Sequence, residues 1–354
     1  MYLSSVIDSK ELFADYTTDI ISTAAFGLEG HATRTGDSPM RAITRSFSSY
    51  NLQRTASFIS IFFAPYYVDA FWFTFFPKKT TRFFREVFER IVAQRGGWEA
   101  GAGASGKGDL VDALLRLRQG PDLDGIEITE DIVLAQAAIL LQGGFETTAV
   151  SLSFVSYELA YNPHVQAKLY DELKKAKSKK GEDLEPSDLA ELTYLSCVIK
   201  ENLRKYPAMG WLDRIAGYDY RVDDKLTIPR GTPVYVNAVG MHHSPKYFPD
   251  PLMFDPDRFL PENEGDIKPY SYMPFGDGPR RLHRACGRWK FNGMRLAQQN
   301  LRFAITALVL NFVLKPLEGA PAPDEVGVDN KALFLSPGCR LAVRFTPRTN
   351  SEDK

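Results

Sequence analysis

Residues 129–163 read TEDIVLAQAAILLQGGFETTAVSLSFVSYELAYNP, and this stretch decides the fold. Thr129 is a favoured cap, and Glu130 and Asp131 suit the positive N-terminal end of a helix. Asn162-Pro163 ends the element. From Ile132 to Leu141 nearly every face is apolar, which predicts a buried helix. Its middle reads Gly143-Gly144-Phe145-Glu146-Thr147-Thr148. Each glycine there costs roughly 1 kcal/mol relative to alanine, and Glu146 places a charge in an apolar element. Such conflicts are expected where function overrides folding. A glycine pair admits a close neighbour, and adjacent Glu and Thr can relay a proton through a hydroxyl and a water. The competing reading is a helix crossing with a surface glutamate.

Working outward, Lys10–Phe26 and Thr80–Arg95 read as helices, the second closed by Gly96-Gly97. The Gly-rich segment from Gly96 to Asp109 reads as a mobile surface loop. His164–Lys175 is a further helix, followed by a charged turn from Lys177 to Asp183. Leu189–Tyr206 is amphipathic and stops before Pro207. Tyr220–Val222, Leu226–Ile228 and Pro233–Val239 read as short strands. A last long helix covers Met294–Asn311, with short strands near Leu333–Leu335 and Leu341–Phe345. The sum is a mainly α fold with small β-sheets.

Composition agrees. With 44% hydrophobic and 25% charged residues the chain can bury a sizeable core. A net charge of -1 gives no footing for nucleic acid. Cys197, Cys286 and Cys339 form no CxxC pair and are odd in number, which speaks against a disulfide framework and for a reducing compartment. The N-terminus lacks the basic and apolar regions of a secretory signal. The apolar stretch Ala56–Phe76 contains Pro65 and Asp69, which opposes spanning a membrane and leaves core or membrane-surface contact.

Three more blocks stand out. In Glu201-Asn202-Leu203-Arg204 the acid and base lie three apart on a helix and can pair; the competing reading is a solvated surface pair. Phe254-Asp255-Pro256-Asp257-Arg258-Phe259 supplies a second arginine, after His243-Ser244-Pro245 and Pro249-Asp250-Pro251; the competing reading is an ordinary proline-rich loop. Phe275-Gly276-Asp277-Gly278-Pro279-Arg280 is a glycine-rich loop, but it lacks the Lys-Ser/Thr of a P-loop.

In order and approximate spacing, these four blocks resemble the cytochrome P-450 superfamily. The likeness runs from Glu11 to Thr346. Asp15-Tyr16-Thr17-Thr18-Asp19 and Phe26-Gly27-Leu28 are similar to the arthropod microsomal members that oxidise foreign compounds. The resemblance implies a haem-thiolate monooxygenase holding haem b (iron protoporphyrin IX). It would use dioxygen, a small lipophilic substrate and electrons from an NADPH-cytochrome reductase. Gly143 and Gly144 would open the dioxygen groove, and Glu146 and Thr147 would deliver protons. Glu201, Arg204 and Arg258 would form a buried charge triad, so that losing Arg258 is expected to cost ~3–5 kcal/mol. Arg214 and Arg280 would meet haem propionates, and Phe275 would pack beside the axial thiolate. The likeness also implies the cytoplasmic face of the endoplasmic reticulum membrane and xenobiotic metabolism. The family's membrane anchor and first helices have no counterpart here. The expectation is therefore one haem-monooxygenase domain over residues 1–354, truncated at its N-terminus and without an anchor of its own.

The haem loop departs from the family. The pattern Phe-Gly-x-Gly-x-Arg-x-Cys-x-Gly has three residues between its Arg and its last Gly; here twelve, residues 281–292, separate Arg280 from Gly293. Leu282 stands where cysteine is expected, and Cys286 comes four positions later. Cys286 is the candidate iron ligand, because thiolate donation favours O–O cleavage and Arg284, Arg288 and Lys290 would lower its pKa. His283 is a rival ligand. Two alternatives remain open: a splicing or gene-model error, the net excess of nine residues keeping the frame, and a non-catalytic haem- or lipophile-binding fragment. Arg281, Arg284, Arg288 and Lys290 would also steer an acidic partner.

Overall fold

The structure is a computed structural model that describes residues 5–49, 52–63, 68, 74–99, 108–120, 127–277, 287–332 and 334–348, with backbone alone for 287–293. Arg280, Cys286, His283 and the other haem-loop residues 278–286 lie outside the described residues. So does most of the Gly96–Asp109 segment. The chain divides into two compact units, residues 10–149 with 330–333, and residues 1–9, 150–329 and 334–354.

A short strand, β1 (Ser5–Asp8), precedes α1 (Ser9–Phe26). The first unit continues with α2 (Ala32–Thr35), α3 (Pro39–Phe47), α4 (Leu52–Phe63), α5 (Lys78–Gln94) and α6 (Leu110–Arg118). Local chemistry sets the ends. Ser38 Oγ accepts from Arg41 N at 3.0 Å, with Pro39 in the first turn of α3. Asp109 caps α6 by accepting from Asp112 N at 3.2 Å. Helix α5 stops at Gly96 and Gly97, whose φ values of 96° and 89° any side chain would strain. The core of this unit is aromatic. Phe26 stands edge-on to Phe84 and Phe88 at 6.1 and 6.4 Å. Arg95 is buried and bonds Asp109, Asp112 and the Phe26 carbonyl.

The conspicuous Asp15–Asp19 run is structural within this unit. Asp15 pairs with buried Arg41. Asp19 accepts from the backbone of Ala32 and Thr33 at 2.9 and 2.8 Å.

Helix α7 (Glu130–Tyr161) has the bounds read from the sequence, and Thr129 Oγ1 accepts from Ile132 N at 3.4 Å. It is the one helix among the described residues long and apolar enough to cross a membrane. Since most of its apolar length is buried within the protein, it behaves as a core helix. The second unit then contains α8 (Pro163–Lys180), α9 (Pro186–Glu191) and α10 (Thr193–Lys205). Two expectations change here. Helix α8 runs through Lys177 to Lys180 and ends where Gly181, at φ 74°, turns its N–H to the Lys177 carbonyl. The amphipathic stretch from Leu189 breaks at Leu192, whose extended backbone separates α9 from α10.

The sheets are small. Strand β2 (Trp211–Ile215), which the sequence reading missed, pairs antiparallel with β5 (Pro233–Asn237). Strands β3 (Tyr220–Arg221) and β4 (Thr227–Ile228) form a second pair. The strand expected to reach Val239 ends at Asn237, whose side chain caps α11 (Ala238–His242) by accepting from Gly240 N at 2.8 Å. Helix α12 (Gly287–Asn311) leads into β6 (Phe312–Pro316), and β7 (Ala342–Pro347) lies between β1 and β6. Phe334 and Leu335 are not in a strand; the nearest pairing is a bridge from Val328 to Pro337.

Candidate functional site

In the first unit, the two central glycines of α7 have different surroundings. A Cβ on Gly144 would lie 2.7 Å from Ile21 Cδ1, so this glycine serves a helix crossing with α1. A Cβ on Gly143 would meet nothing within 4 Å. The expectation that both glycines open one groove therefore divides: only Gly143 borders open space. Ala135, Ile139 and Gly143 are exposed and Thr147 is partly so; at four-residue spacing they form one stripe. Ile139, the largest apolar residue of the stripe, is 55% exposed. Ala135, Ile139 and Gly143 make the exposed part of the stripe small and apolar, and Thr147 adds a hydroxyl. The sequence reading did not single it out.

Glu146 is buried at 5% exposure, which overturns the surface-glutamate reading. Gln142 Nε2 donates to its Oε2 at 2.5 Å, and Ser48 is a second polar neighbour. Burial pushes the Glu146 carboxyl above the ordinary carboxylate range, although these hydrogen bonds and the charges of Lys10 and Arg54 pull it down. Thr147 Oγ1 donates to the Gly143 carbonyl at 2.8 Å. Adjacent residues on α7 thus combine a carboxyl disposed to keep its proton with a hydroxyl on the open stripe.

In the second unit, Glu201 and Arg204 on α10 are fully buried. Arg204 Nε and Nη2 donate to the two Glu201 oxygens at 2.6 and 2.8 Å, a bidentate pair. Asp255 N adds a bond to Glu201 at 3.0 Å. Burial pushes the Glu201 carboxyl up, and Arg204, Asp255 N–H and Arg258 act against it. Arg204 Nη1 donates to the His242 carbonyl at 2.8 Å, and Nη2 to that of Pro251 at 2.8 Å. Arg258 joins less tightly. Its Nε lies 3.7 Å from Glu201, while its Nη2 donates to the Asp250 carbonyl at 3.0 Å.

Arg214, on β2, donates through Nη2 to the Asp277 carbonyl at 2.5 Å. Gly276, at φ 69°, sits against Leu212 and Arg214, and Phe275 beside it is 45% exposed. Arg214, Phe275 and Gly276 thus lie together where the chain enters residues 278–286. Cys197 is buried and donates to the Phe259 carbonyl at 3.1 Å; burial pushes its thiol up to about 11, so it is an inert thiol.

Two buried elements beside α10 escaped the sequence reading. Lys205 Nζ and Tyr206 OH both reach Glu158 at 2.6 Å, joining α10 to the C-terminal part of α7. His242 is fully buried between Arg204 and Met273. No periodicity separated it from its neighbour His243; only burial does.

A sequence profile of the family described as Cytochrome P450 matches residues 3–339. The chain is 31% identical to cytochrome P450 6k1 of Blattella germanica, over 96% of this chain and 66% of that protein. It is 34% identical to the probable cytochrome P450 6g2 of Drosophila melanogaster, over 93% and 62%, and 32% identical to cytochrome P450 3A28 of Bos taurus, over 90% and 60%. The chain belongs to the cytochrome P450 family, whose mainly helical fold with small antiparallel sheets it shows. Insect relatives agree with the arthropod resemblance. The chain spans slightly under two thirds of the length of these relatives.

Proposed function

We propose that this chain serves haem-dependent monooxygenation, placing one atom of dioxygen into a small lipophilic substrate with electrons from NADPH through a separate reductase. The observation that carries the reading is the centre of α7, where buried Glu146 adjoins Thr147 and the stripe through Ile139 and Gly143 is open. Described residues in each unit suit a haem. The open apolar stripe matches a flat apolar ligand. Arg214 is an exposed guanidinium beside Phe275 and Gly276, a donor suited to a carboxylate. Bound haem b would supply dioxygen activation. Everything else falls to side chains. Glu146 holds a proton at its carboxyl, Thr147 presents a hydroxyl to pass it on, and Gly143 keeps the adjacent face clear. Ile139 offers an apolar wall to the substrate. The buried Glu201–Arg204 pair, with Arg258, keeps the chain around α10 rigid.

For the iron ligand we propose Cys286, on the sequence argument that it is the haem loop's sole cysteine and lies among Arg284, Arg288 and Lys290. Arg280 would take a propionate alongside Arg214. Family membership makes the cytoplasmic face of the endoplasmic reticulum membrane the proposed location, with xenobiotic compounds as the substrate class. The test is the absorption spectrum of the haem-reconstituted, reduced, carbon-monoxide-bound chain. A strongly red-shifted Soret band is expected and marks a thiolate ligand. A band typical of histidine ligation, or failure to take up haem, overturns the reading.

The twelve residues 281–292 favour a second reading, a haem- or lipophile-binding protein without turnover. NADPH-dependent product from a generic lipophilic probe, with reductase present, decides against it. Probe binding without product decides for it.

A further inference from the structure

His242 closes α11 and has no exposed surface. Both ring nitrogens are engaged. Met273 N lies 3.0 Å from Nε2, and the Arg204 carbonyl oxygen lies 3.1 Å from Nδ1. A backbone N–H only donates and a carbonyl only accepts. Nε2 must therefore be bare and Nδ1 must carry the hydrogen, so the ring is neutral and held in one tautomer. It stacks on Tyr272 at 5.6 Å and 28°, and meets the edge of Phe248 at 6.3 Å. The backbone of His242 returns the link, since its carbonyl accepts from Arg204 Nη1 at 2.8 Å. Arg204 and His242 are thus joined twice, and the ring extends the connection to Met273. There the chain turns, with Gly276 N donating to the Met273 carbonyl at 3.1 Å, and Arg214 holds Asp277 at the far end.

We propose that His242 is a positioning residue that transmits the placement of the buried Glu201–Arg204 pair to the segment 273–277. Its consequence for haem rests on the function proposed above; the latch itself does not. Tyr272, next in the chain, ties α10 to the same stretch through its own bond to the Lys200 carbonyl at 3.1 Å, and His243 bonds the Lys205 carbonyl at 2.8 Å; it is the His242 ring that accepts from the Met273 N–H. A proton added to Nε2 would turn the acceptor into a donor facing the Met273 N–H. The groups around the ring resist that step. Arg204 and His243 carry or gain positive charge, Tyr272 and Phe248 are apolar faces, and burial lowers the His242 pKa to about 4.

Two substitutions separate latch from filler. His242→Phe keeps an aromatic ring and removes both nitrogens; His242→Gln keeps an acceptor at about the reach of Nε2. Hydrogen exchange at the Met273 amide and haem affinity are read on both variants and the parent chain. The expected result is about tenfold lost protection at Met273 in His242→Phe, the scale of one net hydrogen bond, with most of it restored in His242→Gln. Haem affinity should fall by a similar factor in His242→Phe. Unchanged Met273 protection in His242→Phe overturns the latch, whether or not the chain binds haem. Lost protection with unaltered haem affinity overturns the link to the haem-side segment. Failure of the parent chain to bind haem overturns the functional reading while the exchange data still decide the latch. If His242→Phe does not fold, the Met273 amide of the parent chain is followed as pH falls. A shift with a midpoint near 4 supports the latch, and a constant resonance refutes it.

Discussion

Glu146 and Glu201 are both buried carboxylates on helices, and they are held by opposite chemistry. Glu201 meets a guanidinium on both oxygens plus a backbone N–H. Glu146 meets the neutral amide of Gln142 and the hydroxyl of Ser48, with Lys10 and Arg54 as weaker influences. A carboxylate clamped by a fixed cation has one geometry and little reason to exchange its proton. A carboxyl bonded by an amide, with cations acting on it more weakly, can hold or release one at modest cost. The first arrangement suits scaffolding and the second suits proton traffic, although both appear in the sequence as an acid on a helix.

Arg204→Ala tests this contrast most severely. It would leave Glu201 buried without its cation and remove the donors to the His242 and Pro251 carbonyls. The expected loss is about 3–5 kcal/mol in equilibrium denaturant unfolding. A loss below about 1 kcal/mol would refute the scaffold role. Arg258→Ala should cost less than the triad reading from sequence implied, about 1–2 kcal/mol. The reason is geometric: Arg258 Nε stands 3.7 Å from Glu201 and finds no hydrogen-bond acceptor among the described residues. An unchanged unfolding free energy would remove Arg258 from the cluster.

The central glycines of α7 sharpen the other side of the comparison. Gly143→Ala adds helix preference and meets no atom, so the chain should gain about 0.5–1 kcal/mol while its open stripe narrows. Gly144→Ala forces Ile21 Cδ1 to move and should forfeit that gain. Equal effects on thermal unfolding would mean that the two glycines share one environment.

The subtlest test concerns pH. Burial raises the folded-state pKa of Glu146 above its unfolded value. The folded chain therefore binds more protons than the unfolded chain between those two values. The resulting stabilisation is complete below the unfolded pKa and is lost as pH rises through the folded one. Glu146→Gln mimics the protonated carboxyl and should remove that loss. Denaturant unfolding at a series of pH values reads it, and parallel profiles for variant and parent would show that Glu146 holds no extra proton.

The bounds of helix α7 were legible because their signals are local: a threonine cap, an apolar run and an Asn-Pro stop. That Glu201 and Arg204 can pair was legible from their spacing; that the pair is buried was not. The addition of Arg258 was legible only through family resemblance, since 54 positions separate it from Arg204. The break at Leu192 and the short strand β2 carried no clear periodic signal. His242 was hidden beside His243, because adjacent identical residues cannot be told apart until burial assigns them.

The sequence by itself therefore determined the helical class, the central helix and the residues that make up each block, because cap chemistry and apolar period act over a few residues. Only the tertiary structure decided which of two glycines faces open space, which of two glutamates an arginine clamps on both oxygens, and which of two histidines accepts from the Met273 N–H. Those distinctions depend on which neighbour arrives from a distant part of the chain. Burial and hydrogen-bond partners are properties of that assembled neighbourhood, and no local pattern encodes them.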